Sequence, residues 1–355
     1  MAKILIKNGR VWDGYQFFFA DILTDGNQIV KIDQGITEEA TYVYDATGKI
    51  VSAGLVDCHV HMRLHPDDKY GIQAEMSCFP FGVTAAADAG RIRGNPELFD
   101  SFMLKNVMLA TVRIHQNRPD LEDLKETLAR FGHRAVGVKV YFDQTITDVT
   151  DENPLAEVCS FAKERNLRVM VHCSHSPVPM RRILSTLNPG DILTHAFHGG
   201  ENNAMEDNFE SMRAAQARGV IIDAGFAGYV HTDFGVFQNA IRAGIVPNTI
   251  STDITKSSAY IRGGRYGMTM CMSMARHMGM SEVDIFKAVT SNPARALGKE
   301  GSWGCLKVGG NADIAVLDDT NEGFSMTDKN GTLIESPMGY RCVFTVADGQ
   351  IIYKH

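Results

Sequence analysis

Short apolar, β-branched runs recur through the middle of the chain, at Leu55–His59, Val83–Ala87, Val107–Val112, Ala135–Phe142, Arg168–His172, Asp191–His195, Val220–Asp223 and Thr249–Thr252. Runs of this length and composition read as buried strands. Between them, Leu121–Phe131, Pro154–Glu164, Asn208–Arg218 and Asp233–Ala243 carry apolar residues at helical spacing. Eight strand-then-helix units predict an α/β fold, a (β/α)8 TIM barrel. The competing topology is an open doubly wound sheet. It would line its reactive residues along a crevice, and no Gly-x-Gly-x-x-Gly follows any of these strands.

The two ends of the chain follow a different period. Lys3–Asn8 alternates, Gly9 interrupts it, and Phe17–Leu23 and Gln28–Ile32 flank the hairpin signal Asp25-Gly26-Asn27. Tyr42–Asp45 and Lys49–Ser52 complete a segment without helical periodicity, which predicts an antiparallel unit. After closing helices at Ser281–Val289 and Pro293–Ala296, strands return at Asp313–Leu317, Arg341–Val346 and Gln350–Tyr353. The expected organisation is a small β-sandwich domain from residues 1–52 and 300–355, with a distorted catalytic barrel, residues 53–299, inserted between its halves.

Composition narrows the class. The 355 residues are 44% hydrophobic and 22% charged, enough for a barrel with a small appendage. A formal net charge of −7 argues against a nucleic-acid or anionic-membrane partner. No apolar run is long enough to span a membrane, and Met1–Ile6 reads straight into a strand without a signal-peptide layout. Seven scattered cysteines, with no Cys-x-x-Cys spacing, read as reduced thiols in a cytoplasmic protein.

The candidate chemistry centres on Val56-Asp57-Cys58-His59-Val60-His61. Alternate residues of a strand share a face, so His59 and His61 can present two imidazoles together, with Asp57 on the same side. Alone, His-x-His is equally a polar strand end. Four further strand ends carry reactive groups: Lys139, His172, His195 and Asp253. Each alone reads as a polar cap. Lys139 is the exception in cost, because a lysine inside an apolar strand must pair, snorkel or lose its charge. Together the six form a ring at the C-terminal ends of barrel strands, where such folds keep their active sites.

Gly54-x-x-Asp57-x-His59-x-His61, a strand-4 lysine, strand-5 and strand-6 histidines and a strand-8 aspartate resemble the amidohydrolase superfamily. Ser291-Asn292-Pro293-Ala294-Arg295-Ala296-Leu297-Gly298 and Gly309-Gly310-Asn311-Ala312-Asp313-Ile314 look like its post-barrel helix and its return to the β-domain. Asp88-Ala89-Gly90, Gly190–His195 and Ile250–Asp253 are similar to a bacterial dihydroorotase-like or deacetylase branch. The resemblance implies two divalent metals, usually zinc. His59 and His61 would hold the buried one and His172 and His195 the other, with a CO2-derived carbamate on Lys139 bridging them. Asp253 would bind the buried metal and act as general base and acid.

Two loops depart from the branch pattern. Val140-Tyr141-Phe142-Asp143 follows the lysine, and Ala196-Phe197-His198-Gly199-Gly200 follows the strand-6 histidine. Both put the substrate in question rather than the chemistry. Candidate substrate contacts are Arg63, His198, Arg262 and Arg265, with His175 a further one. A guanidinium suits a carboxylate. The expected activity is hydrolysis of the amide or ester bond of a small, acylated, anionic substrate, a deacetylase-like reaction. The alternatives are opening of a cyclic amide, as in dihydroorotase or hydantoinase, and purine or pyrimidine deamination. Lys139 argues against deamination, and retention of all six groups argues against a non-catalytic scaffold. Related proteins often form homo-oligomers.

Overall fold

The computed structural model describes residues 2–63, 68–90, 95–228, 230–261, 266–320 and 323–355. Seven parallel strands run in chain order: Leu55–Val60, Val83–Asp88, Lys105–Thr111, Ala135–Tyr141, Arg168–His172, Ile192–Thr194 and Ile221–Ile222. The eighth predicted strand, Thr249–Thr252, is not one. That segment meets its neighbours only through single bridges, Asp223 to Thr249 and Val60 to Ile254. Its N–H groups are divided: Thr249 donates to Ile222 and Asp253 to His59 on the flanking strands, but Thr252 donates to the Asp57 carboxylate and Ile250 to Ala288. The segment still closes the ring between the seventh strand and the first, so the barrel is distorted at the position that carries Asp253.

Strand alternation sorts the core. Val138, Val140, Val169 and Val171 pack in the large cluster shared with the surrounding helices. Met170 instead joins Cys58, Ala85, Leu109 and Ile192 in a second cluster, to which the closing helix Ser291–Ala296 adds Ala294 and Ala296. Each such side chain contributes about 1.5–3 kcal/mol by leaving water. The helices Leu121–Phe131 and Phe234–Arg242 are capped by Asp120 and Asp233, whose carboxylates accept from the N–H groups of Asp123 and Val236. The helix Met268–His277 carries no amphipathic stripe because Met268, Thr269 and Cys271–Ala275 are all buried, so its face pattern is erased.

Strands from both ends of the chain share one eight-stranded sheet. The halves join where Ile50–Ala53 runs antiparallel to Ile314–Thr320. Two pairings depart from the antiparallel expectation: Tyr42–Asp45 and Ile50–Ala53 both run parallel to Lys3–Trp12. The sheet's own core includes Ile4, Ile6, Ile22, Val316 and Phe344. Trp12 Nε1 donates to Thr290 Oγ1 at 3.0 Å and Lys105 meets Asp313 at 2.7 Å, which fix this sheet against the barrel. No helix among the described residues is long and apolar enough to cross a membrane.

Candidate metal centre

The reactive groups come from strand ends. Lys139 is fully buried within Ala135–Tyr141, and His172 is the last residue of its strand. His195 and Asp253 each sit just past a barrel position with left-handed backbone, φ 59° and 46°. Non-glycine residues seldom adopt that region, Asp and His more often than most, and such strain collects at functional sites. Both turns aim a side chain back over the barrel mouth.

Around Asp253 three imidazole nitrogens converge. Oδ1 lies 2.8 Å from His61 Nε2 and 3.1 Å from His59 Nε2, and Oδ2 lies 3.7 Å from His195 Nε2. Lys139 Nζ is 3.2 Å from His59 Nε2. Yet Asp253 Oδ1, His195 Nε2 and His61 Nδ1 are buried without a hydrogen-bond partner. Buried polar atoms are nearly always satisfied, so the orphaned Asp253 Oδ1 and His195 Nε2 at the barrel mouth call for another partner. Nitrogen and carboxylate-oxygen donors of this kind are what a divalent transition metal takes, so the residues fit such an ion.

Electrostatics agree. Burial pulls the Lys139 amine down to about 8. Burial, with Lys139 close by, pulls His59 down to about 3, and burial holds His195 well below its usual value, so both rings favour the neutral form. Burial alone would raise Asp253, but His59 and His61 beside it hold its carboxyl well below the ordinary range. A second group forms from His172, His195 and His231, whose donor atoms lie within 4.8 Å of one another. The first group is His59, His61 and Asp253.

An outer layer fixes these rings. Thr194 Oγ1 donates to Asp223 Oδ2 at 2.7 Å and therefore accepts from His59 Nδ1 at 3.0 Å, which leaves His59 Nε2 facing the site as an acceptor. Asp223 also takes the hydroxyls of Thr249 and Ser251. His195 Nδ1 donates to Gly225 O at 2.7 Å. Gly225 has φ 53°, and a Cβ there would fall 2.4 Å from Thr194 Oγ1 and 2.8 Å from His195 Nδ1. Asp57 does not face the cluster as a donor. Its carboxylate takes the Thr252 hydroxyl at 2.6 Å and the His59 and Thr252 N–H groups, bracing the first barrel position to the eighth.

Of the sequence candidates, His59, His61, Lys139, His195 and Asp253 meet in one cluster, and His172 joins through His195, ring centroids 4.6 Å apart. The Arg63 side chain is exposed two residues past His61, its N–H bonded to Ile72 O. His198 is buried, Nδ1 accepting from the Gly200 N–H and Nε2 unpartnered. Arg262 and Arg265 lie outside the described residues. The sequence reading missed Asp143, which holds His172 Nε2 and His175 Nδ1 at 3.0 Å each. It lies two residues past the end of the Lys139 strand, in the Val140-Tyr141-Phe142-Asp143 run that departs from the branch pattern. The sequence reading also missed His231, which lies in a loop with no periodicity to read.

Residues 50–352 match the profile of the amidohydrolase family. A protein named deacetylase from Enterococcus faecalis is 28% identical, covering 98% of each chain. One so named from Agrobacterium fabrum is 29% identical over 88% of this chain and 81% of its own. A solved structure described as a dihydroorotase superposes with TM-score 0.87 at 25% identity, covering 99% of both chains. A match over most of the chain, on a fold whose strand ends gather this donor set, makes the protein a member of the amidohydrolase family.

Proposed function

We propose that the protein is a binuclear-metal hydrolase that cleaves the amide or ester bond of a small acylated carboxylate, a deacetylase-like reaction. The observation that carries this reading is the Asp253 carboxylate, crowded by His59, His61 and His195 nitrogens with Oδ1 bonded to none. The relatives named deacetylases favour acyl cleavage over the other chemistries of the fold.

His59, His61 and Asp253 would hold one cation and His172 and His195 the other, zinc being the first candidate. Such cations would lower the pKa of a bound water and polarise the scissile carbonyl. Lys139 is suited to bridge them. Burial makes its amine easier to deprotonate, and the neutral amine adds to CO2 with loss of a proton, turning a costly buried cation into an anionic carbamate. Asp253, ionised and aimed at the same point, takes the proton of the attacking water and passes it to the leaving nitrogen or oxygen. Arg63 is placed to bind a substrate carboxylate, with His198, Arg262 and Arg265 as further contacts. In this reading residues 53–299 are the catalytic barrel and 1–52 with 300–355 its supporting β-domain. The protein acts in the cytoplasm, as an oligomer of identical chains.

Cyclic-amide opening is the second reading, favoured by the dihydroorotase match over the full chain. Proton balance separates the two. The zinc-loaded enzyme is offered N-acyl amino acids, O-acyl hydroxy acids, cyclic amides and aminopurines in weak buffer with a pH indicator, with amine detection alongside. New amine or acid from an acyl compound supports the proposal. Acid from a cyclic amide alone selects the second reading. Alkalinisation with an aminopurine, as ammonia takes up a proton, makes the enzyme a deaminase and overturns both.

A further inference from the structure

His231 has no part in that account, yet its ring stands as close to the site as any assigned ligand. Its centroid is 4.1 Å from His195 and 4.8 Å from His172. We infer that His231 is a third protein ligand of the outer cation, which therefore sits in a His172–His195–His231 pocket rather than a two-histidine site. The inference rests on the binuclear reading above and deepens it.

Three observations carry it. First, the three donor atoms already lie within 4.8 Å of one another. Nitrogens bound to one tetrahedral zinc at about 2.0–2.1 Å stand about 3.3 Å apart, so closure asks only for small ring movements. Second, each ring has its other nitrogen held from outside: His172 Nε2 by Asp143 at 3.0 Å, His195 Nδ1 by Gly225 O at 2.7 Å and His231 Nδ1 by Ser174 Oγ at 2.9 Å. This leaves His172 Nδ1, His195 Nε2 and His231 Nε2 for the ion. An outer partner on each imidazole is the arrangement that metal-ligating histidines share. Third, His231 is anchored on both sides. The chain enters through left-handed turns at Ala227 and Gly228, with the Ala227 N–H on Thr252 O. It leaves through Thr232, bridged to His198, and Asp233, whose N–H bonds Phe197 O.

The consequence is that the outer cation has a complete set of three imidazole donors, so it does not depend on the Lys139 bridge. Lys139→Ala should leave one cation in the histidine pocket, and His231→Ala should leave the inner one.

The test is metal content and position. Zinc-loaded wild type, His231→Ala, His231→Gln and Lys139→Ala are dialysed against metal-free buffer. Zinc per chain is measured by mass spectrometry, zinc affinity by competition with a chromophoric chelator, and the occupied site by anomalous scattering at the zinc edge. Thermal melts of the metal-free proteins check folding, and the Gln variant stands in if Ala does not fold. The expected result is two zinc ions in wild type. In both His231 variants the weaker site should lose at least about tenfold in affinity, the loss reported for outer-layer partners alone, with the outer anomalous peak gone. Two zinc ions in both His231 variants at unchanged affinity would overturn this inference and leave the binuclear centre standing. Fewer than two in wild type would overturn the binuclear reading itself and this inference with it.

Discussion

Asp143 Oδ2 lies 3.0 Å from His172 Nε2. The same oxygen takes His175 Nδ1, while Oδ1 accepts the N–H and hydroxyl of Thr145. One carboxylate therefore ties the His172 ring to the loop beyond the fourth strand. Asp143→Asn can keep the Thr145 bonds through its remaining oxygen, but it places an amide donor against His172 and His175. We expect zinc affinity to fall by about 10–100-fold, as for other outer-layer partners, with the thermal melt of the metal-free protein little changed. Chelator competition reads the affinity. An unchanged value would show that Asp143 serves the loop alone.

Gly225 makes the neighbouring point on the other side of the site. Its carbonyl orients His195, and its missing side chain leaves room for Thr194, which orients His59. Gly225→Ala meets both a left-handed φ and a 2.4 Å approach to Thr194 Oγ1. The expected outcome is a folded but less stable protein that binds zinc poorly, measured by urea unfolding and metal content. Wild-type metal binding would mean that the backbone there can shift without disturbing His195.

These two residues also mark where the sequence stops speaking. Barrel strands and site histidines were legible because apolar runs recurred at the period of the fold and five of them carried a reactive residue at or near their ends. The eighth barrel position read as a strand because its composition is β-branched, yet its N–H groups serve Asp57, His59 and Ala288, contacts distant in sequence. Met268–His277 was not legible as a helix because burial on all sides removes periodicity. His231 reaches the site from a loop, and only the folded backbone puts it there. Asp143 could have been found, since it is a carboxylate just past the C-terminal end of the Lys139 strand, where the other reactive groups gather.

Lys139 supports a sharper experiment. A carbamate supplies a carboxylate at the end of a long stem, so Lys139→Ala should leave a space that a short carboxylic acid can enter. We expect zinc content to fall from two to about one per chain and activity to be lost to the background, with partial return of both in millimolar acetate or propionate. Full metal in the variant without added acid would remove the case for a bridge. Loss of metal without rescue would leave Lys139 a structural residue.

His198 predicts a pH effect. Burial pulls its ring down to about 3 from an ordinary 6.5. Its Nδ1 accepts the Gly200 N–H, so a second ring proton would displace that bond and bury an unpaired charge. Between those values the unfolded chain binds the proton and the folded chain does not. The stabilising contribution is complete above about 6.5 and is lost as pH falls through that window. Other buried histidines act in the same direction, so the variant is the control. In urea unfolding of the metal-free protein from pH 7 to 4.5, His198→Asn should show a shallower loss of stability than wild type, because its amide oxygen can keep the Gly200 bond without titrating. Parallel curves would mean that His198 protonates freely in the folded state.

The base assignment can be tested with least ambiguity at Asp253. Its carboxylate has two tasks in the proposed reaction, as a donor to the inner cation and as a proton carrier. Asparagine retains one oxygen of the same shape and loses the second task. Asp253→Asn should therefore keep its fold and most of its metal while turnover falls by about 10²–10⁴-fold, the usual worth of a positioned proton-transfer group. KM should move little, since the residue faces the reacting centre rather than the substrate's carboxylate. Metal analysis run beside kinetics decides between the tasks. Loss of metal together with activity makes Asp253 chiefly a ligand. Retained metal with wild-type turnover assigns the proton transfer to another group.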